Sequence, residues 1–253
     1  MAFFDKHREE ERAEEYAWWQ AHTEIPRLRL ALSTEPISKS RFGGPSLGEP
    51  PMDGAGRPMR MLCALFCEEF GGFLDFPTRG VLRFYISEEV PYGIDYQNPT
   101  EQKNFRVLYN ESPESLQWQK ETPSNDEFPV KGCYYCTFRR EEKAMPLMDY
   151  RFRAFFARRG DDELTAEEEM TLNERFSVRG HAVGGYPDFT QDDPRTARER
   201  LRKYDTTLLK IDSVYRGDTR IEFGDAGICN FLIPHEKLAA CDFSDVLYWW
   251  DCY

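Results

Sequence analysis

The chain has 253 residues, 40% of them apolar and 15% aromatic, with a formal charge of −12 at pH 7. This composition carries a sizeable core rather than a disordered segment, and the negative balance argues against general nucleic-acid binding and against an anionic membrane surface, both of which reward basic residues. No apolar run approaches the ~20 residues of a spanning helix, and the opening "MAFFDKHREEER" turns charged too early for a secretory leader; a cytoplasmic location is expected, with the seven cysteines as reduced thiols.

Taken in chain order, Asp5 to Gln20 reads as a charged helix ending in Tyr16, Trp18 and Trp19. Tyr16 and Trp19 share a face, which predicts an aromatic stripe laid on the body, with a partner-binding helix as the sharper alternative. "RLRLALS" (Arg27–Ser33) alternates as a half-buried strand does. The Gly- and Pro-dense segment "KSRFGGPSLGEPPMDGAGRP" reads as an exposed loop. Strands are predicted over Met61–Cys67, Gly80–Ser87, Asn104–Asn110 and Cys133–Arg139. The polar stretch "NESPESLQWQKETPSNDEFPV" between the last two reads as an excursion or a set of turns. Tyr150–Arg158 and Thr165–Phe176 read as helices, the second opened by a capping box of Thr165 and Glu168. Asp193 before Pro194 predicts a short helix start. Late strands are expected at Thr206–Ser213, Arg220–Phe223, Ile228–Pro234 and Val246–Cys252, with a short helix from His235 to Ala240. Strands dominate without regular helical alternation, which excludes a doubly wound parallel sheet.

The second part of the chain echoes the first. Gly43-Gly44-Pro45 and Gly184-Gly185-Tyr186-Pro187 each precede an apolar strand, and each copy then reaches Gly-x-x-x-Phe-x-Ile, at Gly80, Phe84 and Ile86 and again at Gly227, Phe231 and Ile233. This order predicts two pseudo-repeated halves, 27–145 and 178–253, joined by a helical segment 149–177 and preceded by the helix 1–22. With no clear linker, 1–253 is read as one domain. Its fold class is α+β, mainly β, with antiparallel halves and peripheral helices.

Several chemistries fail on spacing. "GHAVGGYPDFTQDDPR" is neither a phosphate loop nor a dinucleotide fingerprint, and Asp188, Asp192 and Asp193 do not fit the alternating frame of a calcium loop. A glycine pair before a strand is explained by positive φ or close backbone approach. Cys133 and Cys136 point to opposite faces of a strand. Cys63 and Cys67, about 13 Å apart on a strand, are too far for a disulfide. No metal site and no cofactor is expected. Of the histidines His7, His22, His181 and His235, only His181 sits in a suggestive context, and a lone histidine is first a structural residue. In the last strand Tyr248 and Trp250 share one face, Trp249 and Asp251 the other; a terminal strand completing the core is the plainer reading, a ligand groove the sharper one.

The stretches "GHAVGGYPDFTQDDPR", "LLKIDS", "FGDAGICNFLI" and "DFSDVLYWWDCY" closely resemble the YwqG-like family, a bacterial family of unknown function, and "GGPSLGEP", "GVLRFYIS" and "QKNFRVLYN" resemble it more loosely. The resemblance spans Ser40 to Tyr253. It implies a compact, mainly β, internally repetitive, roll-like domain and brings no catalytic residues with it. Family members typically carry Gln where this chain has Ala64 and Lys210. Some members resemble immunity proteins. Together with the acidic balance, this gives the first expectation: a non-enzymatic binding protein that captures a basic protein partner, as an immunity protein against a basic toxin does. The alternative is a small-molecule binder or unrecognised hydrolase with a pocket between the halves, near Gly184, Gly185, Gln191, Lys210, Asp212, Asp225 and Trp250, with Lys210 and Asp212 on one strand face.

Overall fold

The computed structural model describes residues 2–120, 127–152 and 165–253, with side chains of the first helix from Ala13 onward. Among the described residues, ten strands form one antiparallel sheet in the order β12-β11-β8-β7-β1-β6-β2-β3-β4-β5. The strands are β1 (Ile25–Ser33), β2 (Arg41–Gly43), β3 (Arg60–Phe66), β4 (Val81–Ile86), β5 (Phe105–Asn110), β6 (Cys133–Lys143), β7 (Ala182–Gly184), β8 (Thr206–Asp212), β11 (Ile228–Ile233) and β12 (Leu247–Asp251). A small hairpin of β9 (Val214–Arg216) and β10 (Thr219–Ile221) stands apart.

The sheet is nearly closed. β4 and β5 come round to face β11 and β12, with Phe84 5.1 Å from Phe231 and Phe105 5.0 Å from Tyr248 between ring centroids. Backbone and side-chain bonds tie the two ends: Tyr248 N–H donates to the Pro99 carbonyl at 2.9 Å, and Trp250 Nε1 donates to Pro91 O at 2.8 Å. The enclosed apolar cluster runs through Leu28, Leu65, Phe84, Ile211 and Phe231. Closure explains why "VLRFYI" in β4 is buried at every position: its inner face meets the core and its outer face is covered by Leu47, Met59 and Met61. Strands buried on both sides lose the alternation that marks a half-exposed strand.

Most predicted strands are present within a residue or two of their expected ends. The exposed-loop reading of the first glycine-rich segment is corrected at its start, where Arg41–Gly43 forms β2 between β3 and β6. Likewise Ala182–Gly184 is a strand, β7, paired with β1 and β8. Both are three residues long, and both end in a glycine pair at positive φ: Gly43 at 64° and Gly44 at 70°, Gly184 at 69° and Gly185 at 70°. A Cβ on Gly43 would stand 2.0 Å from the Gly132 carbonyl oxygen, and one on Gly184 2.6 Å from Phe73. These glycines end the strands and admit close neighbours at once.

Helix α1 (Ala2–Thr23) lies on the body through Tyr16 and Trp19, which are buried against Phe152 and Phe176, while Trp18 is 43% exposed. Trp19 Nε1 donates to Met145 O at 3.2 Å and Met145 N–H donates to Thr23 Oγ1 at 3.1 Å. α2 (Ala166–Arg175) opens with the Thr165–Glu168 capping box, both reciprocal bonds present. α3 (Pro194–Ala197) opens with Asp193 as cap, and α4 (His235–Ala239) lies between β11 and β12. The predicted helix Tyr150–Arg158 lies outside the described residues beyond Phe152. No described helix is long and apolar enough to cross a membrane.

Candidate functional site

The outer face of β8, β11 and β12 carries buried polar residues where an apolar cover would be expected. In register across the strands, Lys210 faces Asn230, which faces Trp249; one pair along, Asp212 faces Ile228, which faces Asp251. The segment leaving β7 folds over this face and is sewn to it. Asn230 Nδ2 donates to the Asp188 carbonyl at 2.7 Å. Asp251 accepts from Thr190 N–H at 3.0 Å, Thr190 Oγ1 at 2.9 Å and Gln191 N–H at 3.1 Å.

A second wall comes from the chain between β6 and β7. Asp149 and Asp193 share the fully buried Arg195 guanidinium, at 3.3 and 2.8 Å, and Arg195 also donates to Tyr204 O at 3.1 Å. A buried cation held by two carboxylates and a carbonyl has its desolvation offset only while all partners remain. This triad fixes the segment around Pro146–Met148. The far end of the wall is fixed at Val178, whose carbonyl accepts from Arg27 Nη1 and, at 2.6 Å, from Lys210 Nζ.

Between the two walls opens a cleft of about 570 Å³, lined by Leu147, Phe176, Arg179, Asp188, Asp212 and Ser213 among others. The Lys210 side chain lies beneath the floor, 0% exposed; Asp212, 14% exposed, accepts from its Nζ at 3.2 Å and from Gly180 N–H. Burial opposes ionisation of Asp212, but the Lys210 ammonium and the Gly180 amide outweigh it and hold the carboxyl below its ordinary range. Asp188 is the reverse case. It is half-buried; among the described residues its carboxyl accepts one hydrogen bond, from Phe189 N–H at 3.1 Å, and burial pushes its pKa up, with Lys210 opposing and Asp212 adding to the rise. Two neighbouring carboxyls are thus driven in opposite directions.

His181 sits behind Asp212. Asp212 N–H donates to its Nδ1 at 3.3 Å, which leaves the ring proton on Nε2. Burial pulls the imidazole pKa down to about 4, against the pull of Asp212. It is a neutral structural residue, packed 5.4 Å from the Phe42 ring.

The structure places the seven sequence-predicted site residues apart. Asp212 lines the cleft with Lys210 directly under it. Gly184 and Gly185 pack against Phe73 and Arg27 instead. Gln191 Nε2 donates to Cys252 O at 2.6 Å, and the exposed Asp225 receives Tyr253 N–H at 3.2 Å through its carbonyl. Both therefore hold the C-terminal segment, whose Tyr253 lines the cleft. Trp250 points into the core, 5.4 Å from the Tyr92 ring. The cleft lies between the connecting segment and the second-half sheet. Arg179 in the cleft lining and Asn230, which holds the Asp188 carbonyl, are absent from the sequence-predicted set; Asp188 enters the sequence reading only as a rejected calcium ligand, although a carboxylate directly following the Gly-Gly-Tyr-Pro turn was the available signal.

A larger cleft of about 820 Å³ lies in the first half, lined by Asp53, Arg57, Arg60 and Glu88. Its charges answer one another across the walls, Arg57 with Asp53 at 3.1 Å and Arg60 with Glu88 at 3.8 Å. Among the described residues, no three His, Cys, Asp or Glu side chains gather in a group able to hold a metal ion.

No curated protein matches the chain. A family model does, over residues 40–252, and the chain accordingly belongs to the family described as a domain of unknown function, DUF1963.

Proposed function

We propose that this chain is a ligand-binding protein whose small-molecule site is the cleft beneath the 186–193 segment, and that it is built of two pseudo-repeated halves of which the second alone carries that site. The observation that carries the reading is Asp188, a half-buried carboxyl in the cleft wall with one hydrogen bond among the described residues. An under-satisfied buried acid costs stability, and a bound partner offsets that cost.

Equivalent contacts support the repeat. Arg83 on β4 donates to the Leu47 carbonyl at 2.6 Å, and Asn230 on β11 donates to the Asp188 carbonyl at 2.7 Å. Arg83 faces Ala64 in register and Asn230 faces Lys210. By this correspondence Leu47 stands where the second half has Asp188. Leu47 is buried among Met59, Met61 and Phe66, so the first-half counterpart, a cleft of about 500 Å³ lined by Leu47 and Phe66, has an apolar side chain where the second half has the Asp188 carboxyl. The same late motifs support a place among the YwqG-like members of the family.

The test is a thermal-shift screen of polar metabolites against the wild type and Asn173→Trp. Asn173 lines the cleft from an exposed position on α2, so the indole fills the cleft without entering the core. The expected result is stabilisation of the wild type that the variant loses; ligands that stabilise both equally, or none at all, overturn the reading. The charge of −12 favours a second reading, capture of a basic protein partner of the immunity type in the cytoplasm. That association would weaken steeply with salt, and a partner retained equally at low and high ionic strength would rule it out.

A further inference from the structure

We propose that the cleft takes a zwitterion of the amino-acid class, its ammonium group seated on the Asp188 carboxylate and its anionic group facing Arg179 at the rim. This rests on the cleft reading above.

The charges of the floor decide the sign of the ligand. Lys210 is committed to Val178 O and Asp212, and Asp212 is committed to Lys210 and Gly180. Those two form a closed, neutral pair. The Asp188 carboxyl is left over, with one amide partner. An incoming ammonium supplies up to three donors and a full positive charge. A divalent cation is a poor match, because calcium takes 6–8 oxygen ligands and this floor offers one uncommitted carboxylate. An anion finds no cation at the floor. Among the described residues lining the cleft, the cation is Arg179, exposed and anchored through its carbonyl to Arg27 Nη2 at 3.0 Å, and a guanidinium suits a carboxylate held bidentately. The rest of the lining mixes polar Asn173, Ser177 and Thr190 with apolar Leu147, Phe176 and Ile228, which leaves room for an apolar side chain within about 570 Å³.

Asp188 has to be ionised to hold the ammonium, so binding is linked to proton release. The groups that face it are Lys210 and Asp212 from β8 and Asp251 from β12, with neutral Asn230 from β11 and Arg179 across the cleft. Burial and the two acids favour the protonated form, and Lys210 opposes them. Affinity therefore rises as the pH is raised through the Asp188 transition, and a proton leaves as the ligand enters.

The experiment is calorimetric titration of the full chain with the free amino acids, their N-acetyl derivatives, n-butylamine and butyrate, at several pH values and in two buffers of different ionisation enthalpy. Expected are binding of at least one free amino acid, no binding of its N-acetyl form or of butyrate, and tighter binding at higher pH with proton release. Asp188→Asn should weaken the amino acid at least tenfold, while Arg179→Ala should weaken it and leave n-butylamine unchanged. Asp188→Asn is isosteric, and a retained unfolding transition verifies its fold. Equal affinity in Asp188→Asn, or equal binding of the N-acetyl form, overturns the ligand class. If another metabolite then binds the wild type but not Asn173→Trp, the cleft reading stands without it. If no compound in either panel binds, both fall.

Discussion

His181 makes the stability of this fold depend on pH in a calculable way. Its imidazole titrates near 6.5 in an unfolded chain and at about 4 in the folded one, because burial removes the water that would solvate the cation. Between those values the unfolded state holds more protons than the folded state, so stability rises as the pH is raised from 4 towards 6.5 and levels off above. A separation of about 2.5 pH units, at about 1.36 kcal/mol each, makes the histidine's contribution about 3 kcal/mol smaller at pH 4 than at pH 7. Other groups titrate nearby. Burial raises Asp188 and Asp251, and their contributions run the opposite way, falling as the pH rises from the ordinary carboxylate range through the folded values. Asp212 is held low, so its loss lies below the ordinary carboxylate range. The difference between wild type and His181→Asn isolates the imidazole, since the Asn carbonyl can still accept the Asp212 N–H. Urea unfolding at intervals from pH 4 to pH 7.5 is the assay. The wild type should lose about 3 kcal/mol relative to the variant across that range; stability curves that stay parallel would refute a buried neutral histidine.

Arg195→Met leaves Asp193 buried without its cation, while Asp149 keeps Arg151 at 2.7 Å, and should lower unfolding stability by about 3–5 kcal/mol, part of it restored by adding Asp193→Asn. Gly184→Ala imposes a side chain at φ 69° and 2.6 Å from Phe73, so its loss should exceed the roughly 1–3 kcal/mol of backbone strain alone. Gly217→Ala, at φ 56° with nothing within 4 Å, should show only the strain. Asp188→Asn should stabilise the unliganded protein at pH 7.5, because it removes a carboxyl whose ionisation the fold opposes; in thermal unfolding the gain should fade as the pH drops into the range where the wild-type acid is protonated, and a gain independent of pH would contradict the raised pKa.

Local signals in the sequence survived folding where they were strong. The Thr165–Glu168 box and the Asp193–Pro194 start are set by contacts within a few residues, and both are present. "IPRLRLALS" shows its alternation because one of its faces is partly exposed. β2 and β7 escaped because three residues carry no period, and their glycines read as turns. The same-face argument for Tyr248 and Trp250 holds, but spacing cannot say which face is inside when both are covered. Lys210 and Asp212 were legible as a pair two apart on a strand. The cleft was not, because Leu147, Arg179, Asp188 and Asp212 meet only when the connecting segment, the β7 exit and β8 are brought together.

β1 sits between β6 and β7 and, through β6, joins the wing β2–β5 to the wing β7, β8, β11 and β12. It precedes the region matched by the family model, which starts at residue 40. Arg27, near its start, bonds to Glu141 at a separation of 114 residues and to Val178 at 151. At roughly 5–20 residues per second of synthesis, the strand emerges about 8–30 s before its second partner exists. Until β6 is made it has two open edges, and until β7 is made it keeps one, beside an apolar face, the form of chain most prone to pairing with the wrong neighbour. This central strand is made first and waits longest for its second partner, so residues 25–33 are where the nascent chain most needs a chaperone.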